Sequence, residues 1–222
     1  MSKRLINCDL GECLVPNPDN DIMPFIDVAN IACGGHIGDD TSMIQAIQLA
    51  KHHSVKIGAH PSYADTENFG RISQKLSDKA LYDLLYQQIS HFQKLCHEND
   101  AILEYIKPHG ALYHDMMCSP VVFKVICKVI QTIDECLSLV VQAGVKNLKT
   151  DTSVLYEVFA DRAYNGNKIL PRSAKGAVLK NADIIVEQYQ KFLIEQSFQI
   201  DTICFHSDNP ASINALQRLR NA

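Results

Sequence analysis

Seven short apolar runs, each of strand length, alternate with longer amphipathic stretches along this chain, and that alternation restricts the fold more than any other feature. The runs cover 5–7, 28–33, 55–59, 102–106, 137–141, 154–159 and 202–205. Most are β-branched or aromatic, as buried strands are. Between them the apolar period changes. Leu81, Leu84, Leu85, Ile89, Phe92 and Leu95 recur every three or four residues, giving one buried stripe of a helix. Val121, Val122, Val125, Ile126, Val129 and Ile130 do the same after Ser119-Pro120, a capping residue followed by proline at the first helical position. Further helices are expected near 40–53, 182–195 and 209–220. Strands alternating with helices build βα units and a mainly parallel sheet, either a closed barrel or an open doubly wound sheet.

The polar residues at the strand ends decide between these. The first run continues into Asp9 and Glu12, the second into His36 and Asp39, the third into His60, and the fourth into Lys107, His109 and Tyr113. Glu157 lies in the sixth, followed by Asp161 and Arg162, and the last ends at His206. A closed parallel barrel brings all its C-terminal strand ends to one mouth, whereas an open sheet converges only the strands at its switch point. We therefore expect an α/β fold, a (β/α) barrel with about seven parallel strands. No linker or second composition regime interrupts 1–222, which reads as a single domain.

Each of these residues has a plainer reading beside the functional one. Asp39 or Asp40 could cap the helix that starts there. Gly34, Gly35 and Gly38 fit turns better than a phosphate cradle, since neither GxGxxG nor GK[ST] is present. His60 taken alone would be a satisfied histidine, Arg71 a surface charge and Tyr113 a core aromatic. Four histidines (36, 60, 109 and 206) in one position relative to their strands are harder to dismiss together. His52, His53, His91, His97 and His114 fall on helical stretches and read as solvated or structural. Carboxylates facing imidazoles support either general acid–base hydrolysis or a divalent metal that activates water, and no HExxH or Cys–His spacing chooses between them. Lys107, Arg162 and Arg172 could hold a carboxylate or an oxyanion.

Composition narrows the class. Hydrophobic residues are 46% and charged residues 21%, with net charge −4, an isoelectric point of about 6.1 and mean hydropathy −0.08. With no basic block and no apolar stretch of membrane-spanning length, neither nucleic acid nor membrane is an expected partner. The eight cysteines show no CxxC pairing. They read as reduced thiols of a cytoplasmic protein, Cys33, Cys127 and Cys204 lying inside apolar runs.

Read together, the segments 7–12 (NCDLGE), 29–39 (ANIACGGHIGD), 58–65 (GAHPSYAD), 107–113 (KPHGALY), 157–164 (EVFADRAY), 171–173 (PRS) and 201–208 (DTICFHSD) closely resemble the LamB/YcsF family, in collinear order over nearly the whole chain. The resemblance implies a seven-stranded barrel related to the polysaccharide-deacetylase fold. It also implies the A subunit of an ATP-dependent 5-oxoprolinase, which with B and C subunits opens 5-oxoproline to glutamate while ATP is hydrolysed. ATP would then be bound mainly by the partners. Within that frame Asp9, Glu12, His60, Lys107 and His109 are the catalytic candidates. His36, Asp39, Tyr113, Glu157, Asp161, Arg162, Arg172 and His206 are the substrate-binding ones. The chain departs from the family at Cys13-Leu14-Val15-Pro16, where a glycine-rich stretch is usual, at Gly35, where an aromatic is lost, and at Ile37, Ile72 and Ser207. Two other readings compete: a stand-alone metal-dependent amide or carbohydrate deacetylase-type hydrolase, and a non-catalytic regulatory subunit.

Overall fold

The computed structural model describes residues 4–145, 148–166 and 168–220. Strands β1 (Leu5–Leu10), β2 (Val28–Ala32), β3 (Lys56–His60), β4 (Leu103–Ile106), β5 (Ser138–Gln142) and β6 (Val154–Phe159) follow one another around a barrel. A two-stranded antiparallel hairpin, β7 (Tyr164–Asn165) and β8 (Lys168–Ile169), then leaves the sheet, and β9 (Thr202–His206) closes the barrel between β6 and β1. All seven barrel pairings are parallel. The seven expected runs are the seven barrel strands; the hairpin, two residues a side, carries no run long enough to read.

The helices are α1 (Asp19–Ile22), α2 (Asp40–His52), α3 (Asp78–Glu98), α4 (Gly110–Cys118), α5 (Pro120–Ile133), α6 (Ala182–Ile194) and α7 (Pro210–Arg220). Side-chain caps start five of them: Asp39 accepts from Ser42 N–H, Ser77 from Ala80, Ser119 from Val122, Asn181 from Asp183 and Ile184, and Asn209 from Ala211. The stripe of α3 buries Leu81, Leu85, Ile89, Phe92 and Leu95. Truncating one such side chain to alanine costs about 2–5 kcal/mol. Val121, expected in the stripe of α5, is instead exposed in its first turn, whereas Val125, Ile126, Val129 and Ile130 are buried. No single described helix is long and apolar enough to cross a membrane.

The main core lies outside the barrel, where Ile6, Cys8, Leu10, Ile31, Ile57, Leu139, Val141, Val158 and Ile203 meet the helices. Because strand side chains alternate, the partners of these residues point inward. At the bottom of the barrel Val28, Tyr105 and Val140 form a small apolar plug with Leu5 and Leu155. Above the plug the interior becomes polar, with Asn7, Asp9, Asn30, Glu157 and Thr202 all buried. Parallel barrels usually fill this space with branched aliphatics. Here it is charged.

Candidate active site

Lys107, just past β4, stands at the centre of that interior with 2% of its surface exposed. Its ammonium lies 2.9 Å from Asp9 Oδ1 and 3.0 Å from Glu157 Oε1, and reaches Asn7 Oδ1 at 3.1 Å and Cys204 Sγ at 3.1 Å. Asn30 donates to both Asn7 Oδ1 and Asp9 Oδ1 (2.9 and 2.7 Å), while Asn7 donates to Thr202 Oγ1 at 2.7 Å. The register explains this convergence, since Asp9 pairs with Asn30 on one side and with His206 on the other. Burial pushes the Asp9 carboxyl up, but the charges of His60 and Lys107 outweigh it and hold the group well below the usual carboxylate range. Burial would lower the Lys107 ammonium; Asp9 heads the groups that instead keep it well above its ordinary value. Glu157 stays raised by burial, which Lys107 only partly offsets.

Three histidines stand beside this charge centre. His60, the last residue of β3, donates through Nδ1 to the Lys107 carbonyl at 2.6 Å and brings Nε2 to 3.5 Å from Asp9 Oδ2. His109, the N-cap of α4, donates through Nε2 to the Phe69 carbonyl at 2.9 Å and turns Nδ1 toward His60 Nε2 (3.0 Å) and Glu12 Oε1 (3.5 Å). His36 stacks flat on His109, with ring centroids 3.8 Å apart and planes 4° from parallel. Its Nδ1 donates to Ser62 Oγ at 3.0 Å, because that hydroxyl already donates to the Tyr63 carbonyl. Its Nε2, buried, has no hydrogen-bond partner and faces Glu12 Oε1 at 3.6 Å. Burial, with His60 close by, brings His36 down to about 3 and His109 well below its ordinary value. Burial and the Asp9 charge push Glu12 well above its own. Gly70 makes the approach of the 66–71 loop possible: its φ is +63°, and a Cβ there would stand 2.9 Å from His36 Cβ and 3.0 Å from His109 Cδ2.

Above this floor opens a cavity of about 980 Å³ at the C-terminal mouth of the barrel, reached by Asp9, Glu12, His60, Lys107, His109, Tyr113, Arg162, Arg172 and His206. The Tyr113 hydroxyl is buried without a hydrogen-bond partner. At the rim Arg71 and Arg172 both pair with Asp208 Oδ2, Arg71 at 3.1 Å.

The remaining candidates lie outside the cavity or are held by partners of their own. Asp39 is exposed and caps α2 in a reciprocal box with Ser42, outside the cavity wall. Its plainer reading is the one its position supports. Asp161 is fully buried behind His206, accepting from His206 Nδ1 (2.8 Å), Ser212 Oγ (2.7 Å) and Asn209 Nδ2 (3.3 Å). It orients an imidazole rather than meeting a ligand. Arg162 spends donors on the Ala177 and Leu170 carbonyls, tying down the segment that follows β6. His36 and Glu157 lie behind the cavity wall, against His109 and Lys107 respectively. Sequence reasoning passed over Asn7, Asn30 and Cys204, which surround Lys107. It also left Arg71 as surface charge and did not single out Asp208. Inward alternation on a barrel strand would have found the first three, since Asn7 and Asp9 are two residues apart in β1.

Three comparisons bear on this site. The sequence profile of the LamB/YcsF family matches residues 5–222. The A subunit of 5-oxoprolinase from Vibrio cholerae serotype O1 is 39% identical over 245 residues, covering 100% of this chain and 99% of that protein. The protein of the same name from Pseudomonas fluorescens is 36% identical over 243 residues, covering 100% and 97%. Among solved structures, a lactam utilization protein from Thermus thermophilus superposes with a TM-score of 0.88 at 28% identity, covering 99% of this chain and 96% of that one. A putative cellobiose-phosphate cleavage protein from Enterococcus faecalis shares the fold alone, with TM-score 0.66 at 11% identity and coverage of 99% and 94%.

Proposed function

The chain belongs to the LamB/YcsF family, and from that premise we propose that it is the lactam-opening subunit of an ATP-dependent 5-oxoprolinase, working with B and C subunits to convert 5-oxoproline and water to glutamate. The observation that carries this reading is the closed cluster of two carboxylates and two imidazoles, Asp9, Glu12, His60 and His109, on the floor of the mouth cavity. Such a cluster can hold a water molecule and manage its protons.

The chemistry explains why ATP would be spent on so simple a bond. A five-membered lactam recloses by intramolecular attack whose entropy is prepaid by the tether, so its opening gains little. Phosphorylation of the lactam oxygen makes the carbonyl carbon a good electrophile. In this division of labour the partners handle ATP and the present chain supplies the hydrolytic groups. Lys107 does not touch substrate. Its ammonium is saturated by Asp9, Asn7, Glu157 and Cys204, and its part is to keep the Asp9 carboxylate ionised and fixed. Arg71 and Arg172 share one aspartate and so present one uncompensated positive charge at the rim, suited to the substrate carboxylate or a phosphoryl group. The Tyr113 hydroxyl is a free donor for the lactam oxygen.

The test follows glutamate release from labelled 5-oxoproline with ATP. The assembly of this chain with B and C subunits is expected to turn over, and the chain alone is not. Asp9→Asn and His109→Gln in that assembly should each lose about 10²–10⁴ in rate, whereas His97→Gln, on the exposed face of α3, should be silent. If both site variants stayed within about threefold of wild type, no general acid–base role of the usual size could be theirs. Turnover by the lone chain would favour instead the stand-alone hydrolase.

A further inference from the structure

The outer layer of helices has a gap beside α6. Every other crossover between successive barrel strands carries a helix, but 143–153, which joins β5 to β6, carries none among its described residues. That segment is drawn instead toward α5, where Thr150 Oγ1 donates to Cys127 Sγ and Gln131 Nε2 to Thr152 Oγ1, both at 3.4 Å. A notch of about 200 Å³ is left between β5, β6 and α6, walled by Ala143, Val158, Gln188, Lys191 and Phe192. Helix α6 packs along α7 on one flank and meets this notch on the other.

The helix is correspondingly exposed. Ile185 alone of its 13 residues is buried, whereas α5 buries six of 14. Ile184 is 48% exposed and Ile194 75%. At about 100° per residue, Ile184, Glu187, Lys191 and Ile194 fall within an arc of about 80°, turned away from Ile185. All four are exposed, and neither Glu187 nor Lys191 has an ion-pair partner among the described residues.

The order of these side chains along α6 is symmetric. Ile184 and Ile194 lie five residues either side of Tyr189, and Glu187 and Lys191 lie two either side. Two copies of α6 crossing antiparallel at that level bring Ile184 against Ile194 of the second copy, and Glu187 against Lys191 of the second copy, each twice. A two-fold contact uses one patch on both subunits, so the patch must be complementary to itself. A helix from an unrelated partner makes no such demand. Asp183 and Glu195, six residues either side, are alike in charge, but each is already engaged: Arg218 pairs with Asp183, and the Glu195 carboxylate accepts from the Gln196 and Ser197 N–H groups.

We propose that this chain self-associates through a two-fold, antiparallel α6–α6 contact, the second copy covering the helix face beside the β5–β6 gap. A helix pair about 20 Å long lies at the small end of specific interfaces, so association is expected in the micromolar range and not as an obligate dimer. The contact lies on the outside of the barrel and is the same whichever substrate the mouth accepts.

The test is sedimentation velocity on the full chain alone, from about 1 to about 500 μM. Wild type is expected to pass from monomer to dimer across that range. Glu187→Lys and Lys191→Glu each set like charges opposite one another and should each weaken association about tenfold or more. Mixed in equal amounts, the two variants should associate again, because each reversed charge then meets an opposite one on the other chain. The double variant Glu187→Lys/Lys191→Glu should recover on its own for the same reason. Lys124→Glu, on the exposed face of α5, is the control and should associate as wild type does. Circular dichroism confirms that the variants, all at exposed positions, are folded. A wild-type chain that stays monomeric throughout, or a mixture of the two single variants that does, would overturn the proposal. Protection of α6 from hydrogen exchange by a B or C subunit, with no protection at high concentration of this chain alone, would give the face to another partner and overturn it equally.

Discussion

Asp161→Asn isolates one buried charge whose worth can be worked out from its surroundings. The carboxylate is fully buried and accepts from His206 Nδ1, His206 N–H, Ser212 Oγ and Asn209 Nδ2. Burial alone would raise its pKa; the charge of His206 and these hydrogen bonds instead bring it from 3.8 to about 2. A depression of nearly two units corresponds to about 2 kcal/mol of folding stability. Since the folded pKa is the lower one, this stability is complete above the unfolded pKa near 4 and fades as pH falls toward 2. Asparagine loses the charge and turns an N–H₂ toward groups that were donors. Urea unfolding at pH 7 should therefore show the variant about 2 kcal/mol less stable, with a melting point lower by roughly 4–8 °C. The gap should shrink to about half by pH 3, because the unfolded wild-type chain then protonates Asp161 while the folded one still holds it ionised. His206, whose ring also stacks on Phe159 at 5.8 Å, loses its fixed orientation, so activity of the assembly should fall as well. A gap below about 0.5 kcal/mol at pH 7, or one that does not narrow toward pH 3, would refute the account of Asp161 as an ionised support.

Two further expectations follow from packing and exposure. A Cβ at Gly58 would sit 2.0 Å from the Tyr105 ring, whose hydroxyl is held by the Ala29 carbonyl at 2.9 Å, so Gly58→Ala should cost about 3 kcal/mol in urea unfolding. Tyr105→Leu in the same background should recover part of that loss, and a Gly58→Ala protein as stable as wild type would mean that β3 and β4 are not packed as described. Alkylation of the native chain, read by mass spectrometry, should label Cys13, Cys118 and Cys136 and spare Cys8, Cys33, Cys96, Cys127 and Cys204 until denaturant is added; Cys118, on the cavity wall 3.3 Å from His114, is the one whose labelling should slow turnover.

The strands were legible because each turns apolar residues outward against the helices, and burial of that kind leaves its mark on composition. The hairpin Tyr164–Asn165 and Lys168–Ile169 left none, being held by Arg162 donors and local pairing rather than by an apolar face. Partial burial likewise blurs the end of a stripe, as Val121 shows: the first turn of α5 projects past the core that Val125 and Val129 enter.

The site divides in the same way, by what a polar residue at a strand end finds in front of it. Asp9, His60 and His109 meet one another because parallel register stacks β1, β3 and β4 with their C-terminal ends level. Asp39 follows β2 just as closely, but the chain turns there into α2, and the orphan N–H groups of the helix claim its carboxylate. Asp161 follows β6 and finds His206, Ser212 and Asn209 from the closing β9–α7 connection before it finds the cavity. Residue type and spacing are alike in these positions. What separates a group that faces the cavity from a cap or a support is the partner supplied by a distant segment, and for Asp161 that partner lies 45 residues or more along the chain. The inward asparagines make the converse point. Asn7 and Asn30 are uncharged and sit in mid-strand, yet they hold the Lys107–Asp9 pair together. A buried ammonium beside a carboxylate is stable only when its remaining hydrogen bonds are met, so those amides belong to the site as surely as the charges do.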